Sequence, residues 1–284
     1  MKVDSLYGVG MMGGQIQAIL IDSTQLAEKA RAVHGLSGEV AAALGRHLTA
    51  SAILGAMIPF EEPMTAFLDG AEKQWRLAAV AYPDGRVKGY AEGLRGRMSA
   101  DGRMPSDGHL TVSKHLQDGR RFQREADVRP DALEAGYAAI LGAHGAGPFH
   151  LAVGAVAGER VTSAAGLLLW LGADASDEAV EALCRLLPAV RDIAGLMKDI
   201  NLDEAVTRLF APLTPEVTGA VYTRFSCGCN RADFEKALLA AGETGLAKLM
   251  ENPDGADARC SYCGRIWHFS GEQLGQLVTR ARRP

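Results

Sequence analysis

Cysteine is scarce in this chain, with five among 284 residues, and aromatic side chains make up only 6%. A basic excess is also missing: 30 Lys and Arg face 34 Asp and Glu, giving a net charge of −4. A dedicated nucleic-acid surface normally carries such an excess, so no nucleic-acid partner is expected. No long apolar run stays unbroken. The most apolar stretch, Ala41 to Phe60, is interrupted by Arg46 and His47. What remains falls short of the about 20 residues that span a bilayer, so no membrane partner is expected. The start, Met1-Lys2-Val3-Asp4, lacks the apolar segment of a secretory signal. These absences together lead us to expect a cytoplasmic protein.

Catalytic and nucleotide motifs are missing as well. We find no Ser/His/Asp arrangement and no carboxylate pair at a useful spacing, so no enzyme is expected. Gly8-Val-Gly10-Met-Met-Gly13 matches G-x-G-x-x-G. That motif needs a strand before it and a helix after, whereas here few residues precede it and a strand pattern follows. A flexible N-terminal turn is expected instead. Gly142-Ala-His-Gly145-Ala-Gly147 lacks the Gly-Lys-Ser/Thr ending of a phosphate loop, and reads as a helix C-cap and turn.

What is present is an ordinary globular composition, 48% apolar and 23% charged. Residues 14–22 alternate as a strand, and helices are expected from 23–34 and 37–58, the second dense in Ala and Gly. Strand pairs follow at 75–82 with 86–92, 109–114 with 121–128, and 149–157 with 160–171, interrupted by a helix from Pro130 to Gly142. The loop 94–108 is rich in Gly and Arg. Residues 1–172 therefore read as an α+β core domain with a mostly antiparallel sheet and buried helices. Residues 173–222 read as a metastable helical linker, with helices at 177–187, 189–197 and 202–210 and a Pro-containing connection at 211–218. Each helix is near or below the ~12–15 residues that an isolated helix needs. The apolar stripes of this linker, Leu183, Leu187, Ile193, Leu196, Met197, Leu209 and Phe210, face the core when it is folded. If it melts, they become an exposed apolar surface able to bind other proteins. Cys184, in phase with Val180 and Leu187, is expected to pack in the core.

Residues 223–284 hold the remaining four cysteines, as Cys227-Gly-Cys229 and Cys260-Ser-Tyr-Cys263-Gly264. Zn2+ takes four thiolates in a tetrahedron. A C-x2-C turn followed by glycine brings two sulfurs to one metal, and an extended C-x-C puts both side chains on one side. Two local pairs joined by a long excursion thus give a closed four-thiolate site for one Zn2+. The spacing leaves two readings open. One is an inert structural zinc in a ribbon that binds a protein or nucleic acid. The other is a redox centre, because four thiols pair in three ways and ring closure favours Cys227 with Cys229 and Cys260 with Cys263.

The segment FSCGCNRADFEKALLAAGETGLAKLMENPDGADARCSYCGRIWHFS resembles the zinc domain of the thirty-three-kilodalton heat-shock protein family, the redox-regulated holdase chaperones. AALGRHLTASAILGAM (42–57) resembles the family's long core helix; GHLTVSK (108–114) and VKGYAEG (87–93) resemble strands of its sheet. The resemblance implies an ATP-independent chaperone that is inactive while reduced and zinc-bound. Oxidation would turn Cys227, Cys229, Cys260 and Cys263 into two local disulfides, release Zn2+ and unfold the zinc domain and linker. Unfolding client proteins would then be held by a form that dimerises.

Overall fold

A computed structural model describes residues 3–57, 62–115, 119–142 and 149–281. The chain divides into two compact units, Met1–Ser226 and Cys227–Pro284.

The first unit opens with a hairpin of β1 (Ser5–Met11) and β2 (Ile16–Asp22), then α1 (Thr24–His34) and α2 (Gly38–Met57). Strands β3 (Met64–Gly70), β4 (Arg76–Ala81), β5 (Arg86–Glu92), β6 (Gly108–His115) and β7 (Arg121–Val128) follow. Then come α3 (Leu133–Gly142), β8 (Phe149–Ala157) and β9 (Val161–Leu171). Three short helices, α4 (Asp177–Leu186), α5 (Ile193–Met197) and α6 (Leu202–Phe210), lead to β10 (Glu216–Tyr222) and β11 (Arg224–Phe225). One sheet has the order β10-β1-β2-β9-β8 and the other β11-β5-β4-β3-β6-β7. Every pairing is antiparallel except that of β11 with β5. The mixed α+β class and antiparallel sheets expected from the sequence are therefore present.

The first sheet is covered on both faces, which explains why β2 and β9 read as nearly unbroken apolar runs. Ile19, Ile21, Ala164 and Leu168 point into a core shared with α1, α2 and the second sheet. The alternate residues Ala18, Leu20, Leu167 and Leu169 point into a second core under α4, α5 and α6. Helix α2 lies within the first core. By length and composition it would suffice to cross a membrane, contrary to the reading that the stretch is too short, but 78% of its apolar window is buried inside the protein. Its many Ala and Gly residues let the neighbouring elements approach closely.

Four expectations need correction. The G-x-G-x-x-G stretch is a turn only at its end: Gly8 to Met11 belong to a strand, residues 5–11, paired on both sides by β2 and β10, and Met12 and Gly13 open the turn to β2. Residues 216–222, which overlap the end of the expected connection at 211–218, form the edge strand β10. β3 was not expected at all. Cys184 is exposed, because α4 buries Ala179, Ala182 and Leu186 and leaves the phase of Val180 and Cys184 outside. The glycine turn at 142–147 lies largely outside the described residues.

A buried polar chain links α2, α3 and β3. His47 Nε2 lies 3.3 Å from the carbonyl of Ala66, so it carries the proton and donates. Nδ1 must then accept, and the Tyr137 hydroxyl donates to it at 3.0 Å. Ser51 Oγ completes the chain 2.7 Å from that hydroxyl. Burial lowers the His47 pKa to about 4, only partly offset by the Ala66 bond. An unfolded chain takes up this proton near pH 6.5, so it binds more protons than the folded one between pH 6.5 and 4. Stability from this site is complete above pH 6.5 and is lost as pH falls through 4, by roughly 3 kcal/mol. Tyr137→Phe leaves Nδ1 without a donor and should lower stability at pH 7.5 by about 1–3 kcal/mol. Urea midpoints measured between pH 4 and 8 check both statements.

Candidate metal centre

Helices α4, α5 and α6, within the first unit, carry the residues expected to contact clients. All three have side-chain N-caps: Ser176 Oγ accepts from Ala179 N, Asp192 Oδ1 from Gly195 N, and Asn201 Oδ1 from Glu204 N. Capping supports helices of ten, five and nine residues that would not persist alone. The rest of their support is the sheet. Ser163 Oγ on β9 donates to the Ala194 carbonyl at 2.6 Å. Gly154 on β8 permits close approach, since a Cβ there would stand 2.7 Å from Ala194 Cβ. Ile193, Met197 and Phe210 are buried in this contact, and Leu183, Leu187 and Leu209 are partly buried against it. Leu196 is the exception, at 38% exposed.

The second unit holds the cysteines. After Cys227-Gly228-Cys229, Asn230 caps α7 (Arg231–Ala240) in a reciprocal box with Asp233. α8 (Gly242–Met250) and the antiparallel pair β12 (Ala256–Arg259) and β13 (Ile266–Phe269) follow, and α9 (Gly271–Ala281) closes the unit. Between the two strands the chain turns tightly: Gly264 N donates to Cys260 O at 2.8 Å and Cys260 N to Arg265 O at 2.9 Å. Gly264 sits at φ 69°, where a side chain would be strained.

These elements bring all four sulfurs within 4.8 Å of one another. The Cys227 and Cys260 sulfurs are 3.7 Å apart, and those of Cys229 and Cys263 are 3.4 Å apart. A tetrahedral metal with ~2.3 Å bonds to sulfur requires sulfur–sulfur edges of ~3.8 Å. The four thiols thus fit a single metal ion. Without an ion the protons are distributed unevenly. Burial and the neighbouring thiols raise the Cys229 pKa. Burial also opposes ionisation of Cys260, but the N–H groups of Cys263 and Tyr262, with the Cys263 and Cys227 thiols, outweigh it and lower the pKa. Cys260 is buried and the other three cysteines are half-buried.

Little else holds this unit together. Leu246, Phe269, Leu274 and Leu277 are its buried apolar residues, with Phe234, Leu238 and Trp267 packed around them. Arg231, directly after the cap, was missed as a contact residue in the sequence. Its guanidinium stacks 4.2 Å from the Phe269 ring centre and donates to His268 O at 2.9 Å and Gln273 Oε1 at 2.7 Å. The only hint was its place in the Cys-Asn-Arg string. His268, on the neighbouring strand β13, is exposed, and its Nδ1 bonds to Asp257 at 2.8 Å.

Comparison with known proteins agrees across the chain. The family model described as Hsp33 protein matches residues 4–270. Proteins named 33 kDa chaperonin align over nearly their whole length. That of Desulfotalea psychrophila is 24% identical, covering 98% of both chains. That of Rippkaea orientalis is 28% identical, covering 98% of this chain and 97% of its own. The crystal structure of the 33 kDa chaperonin from Thermotoga maritima superposes with a TM-score of 0.84 at 20% identity, covering 99% of both chains.

Proposed function

The chain belongs to the Hsp33 family, and from that premise we propose that it is a holdase chaperone gated by oxidation of its thiol cluster. The family supports a chaperone function and a binding rather than an enzymatic role. The observation that carries the gate is the convergence of Cys227, Cys229, Cys260 and Cys263. In the reduced state they would hold one Zn2+, which keeps all four sulfurs as thiolates and the second unit folded. The protein would act in the cytoplasm, where thiols stay reduced until an oxidant arrives.

Oxidation removes four electrons from four thiolates and forms two sulfur–sulfur bonds. Two molecules of hydrogen peroxide accept those electrons and, with four protons, become four waters. Two short sulfur–sulfur contacts join opposite pairs, but all four sulfurs lie within 4.8 Å of one another, so proximity does not choose. Ring size does. Joining residues 33 or 34 apart costs ~2 kcal/mol more loop entropy than joining near neighbours, which favours Cys227 with Cys229 and Cys260 with Cys263. No thiolate then remains for a metal. In this division of labour residues 1–172 are the scaffold, 173–222 the releasable linker and 223–284 the switch. Loss of the switch fold would free the linker helices, exposing Leu183, Leu187, Ile193, Leu196, Met197, Leu209 and Phe210, and the sheet face beneath them, to unfolding clients. The oxidised form would be a homodimer, as the resemblance implies.

Light scattering of a chemically unfolded client tests this reading. Peroxide-treated protein at mildly raised temperature should suppress aggregation, and reduced, zinc-loaded protein should not. Equal behaviour of the two states would reduce the thiol cluster to an inert structural zinc.

A further inference from the structure

The Gly- and Arg-rich loop after β5 has no part in the chaperone reading, yet it builds a hollow of about 500 Å³ in the first unit. Arg97, Ser99 and Arg103 line one wall; Arg129 and Asp131, in the connection from β7 to α3, line the other. The walls are tied together, because Met104 N donates to the Pro130 carbonyl at 3.1 Å. The loop itself is braced by Arg103 N donating to Ser99 Oγ at 2.8 Å and by Arg46 Nη2 donating to the Gly102 carbonyl at 3.1 Å. The arginines thus stand on a shaped frame.

Their charge is poorly opposed. Asp131 is the one carboxylate among the described lining residues. Arg103 pairs with Asp101 at 2.9 Å, but both side chains are more than half exposed and such a pair contributes little. Among the described residues Arg97 meets only the neutral Gln74 amide oxygen, at 3.3 Å. The Arg129 side chain makes no hydrogen bond or ion pair among the described residues. Three guanidinium groups thus surround one concavity in a chain of net charge −4.

Guanidinium forks match phosphate oxygens in pairs. The volume lies within the ~300–1,000 Å³ of small-ligand sites. The described lining has no aromatic side chain, so a nucleobase finds no stacking platform. We propose that this hollow binds a compact phosphate anion of two or three linked phosphoryl groups, with Arg97, Arg103 and Arg129 as the gripping residues. The site is independent of the thiol switch.

Isothermal titration of the full, reduced, metal-loaded chain with orthophosphate, pyrophosphate and tripolyphosphate tests it. The expected result is saturable binding of one tripolyphosphate per chain, tightening from one phosphoryl group to three and weakening with salt. Arg97→Gln and Arg129→Gln should each weaken it about tenfold and the double variant should abolish it, while Arg185→Gln on α4 leaves it unchanged. These side chains are exposed, and matched unfolding midpoints will show that the variants fold. Polyphosphates also complex divalent metals; heat that persists in the double variant would report metal extraction and overturn the site. So would absence of saturable binding, or tighter binding of mixed-sequence single-stranded RNA than of tripolyphosphate, which would assign the arginines to a nucleic-acid backbone.

Discussion

Removing the metal from the reduced protein is expected to unfold residues 227–281 and leave the two sheets of the first unit folded. The expectation follows from the size of the terms. A structural zinc contributes ~10–16 kcal/mol to a small domain that folds around it. A whole domain is stable by only ~5–15 kcal/mol. The second unit has fewer than sixty residues, and its buried apolar set is Leu246, Phe269, Leu274 and Leu277. Small units of this kind need a metal or disulfides to stay folded. Amide hydrogen exchange read by mass spectrometry, with and without a strong chelator under reducing conditions, measures it. Protection in α7, α8 and α9 should fall by several orders of magnitude, while β2, β9 and α2 keep theirs. Cys263→Ser should reproduce the chelated pattern. Retained protection in α8 and α9 would mean that the Arg231 clamp and the Leu246–Phe269 core suffice without metal.

The thiol site was legible in the sequence because ligation by a C-x2-C-Gly turn and an extended C-x-C is a local property. Each half is fixed by neighbouring residues, and only the meeting of the halves needs the fold. Strand β9 and helix α2 were legible for a similar reason: burial on several sides leaves an apolar or small-residue signature. The misread elements lack such a signature. β1 carries Gly8 and Gly10, which read as a turn, and its pairing with β10 is decided by residues more than two hundred positions away. β10 is exposed along nearly its whole length, so it shows no alternation, and Pro212 and Pro215 precede it. β3 buries Met64, Ala66 and Leu68 at alternate positions, but Pro63 and Asp69-Gly70 at its ends look like turns. On α4 the helical period is legible but the phase is not, because Val180 is more apolar than Ala179 and Ala182, yet the small alanines take the buried face. The Arg231 clamp and the arginine hollow join residues distant in sequence, and spacing alone does not reveal them.

Phe210→Ala is expected to give a protein that holds clients without any oxidant. Phe210 ends α6 and is fully buried in the core between the linker helices and the first sheet. Truncating a buried Phe costs about 3–5 kcal/mol. α5 and α6 are too short to persist alone, so loss of that anchor falls on their docking rather than on the sheet, whose other face is held by α2. If client binding requires only release of these helices, the thiol cluster can stay reduced and metal-loaded while the surface opens. The measurement is suppression of client aggregation in reducing buffer, with metal content and hydrogen exchange of β2 and β9 followed in parallel. Leu196→Ala is the control: that side chain is 38% exposed, and its loss should change stability by no more than about 0.5 kcal/mol and leave the protein inactive when reduced. A Phe210→Ala protein with loosened helices, intact sheets and no activity until oxidised would place the client surface outside residues 177–210. The unfolded second unit would then become the segment that must carry the clients, since it is what oxidation alone releases.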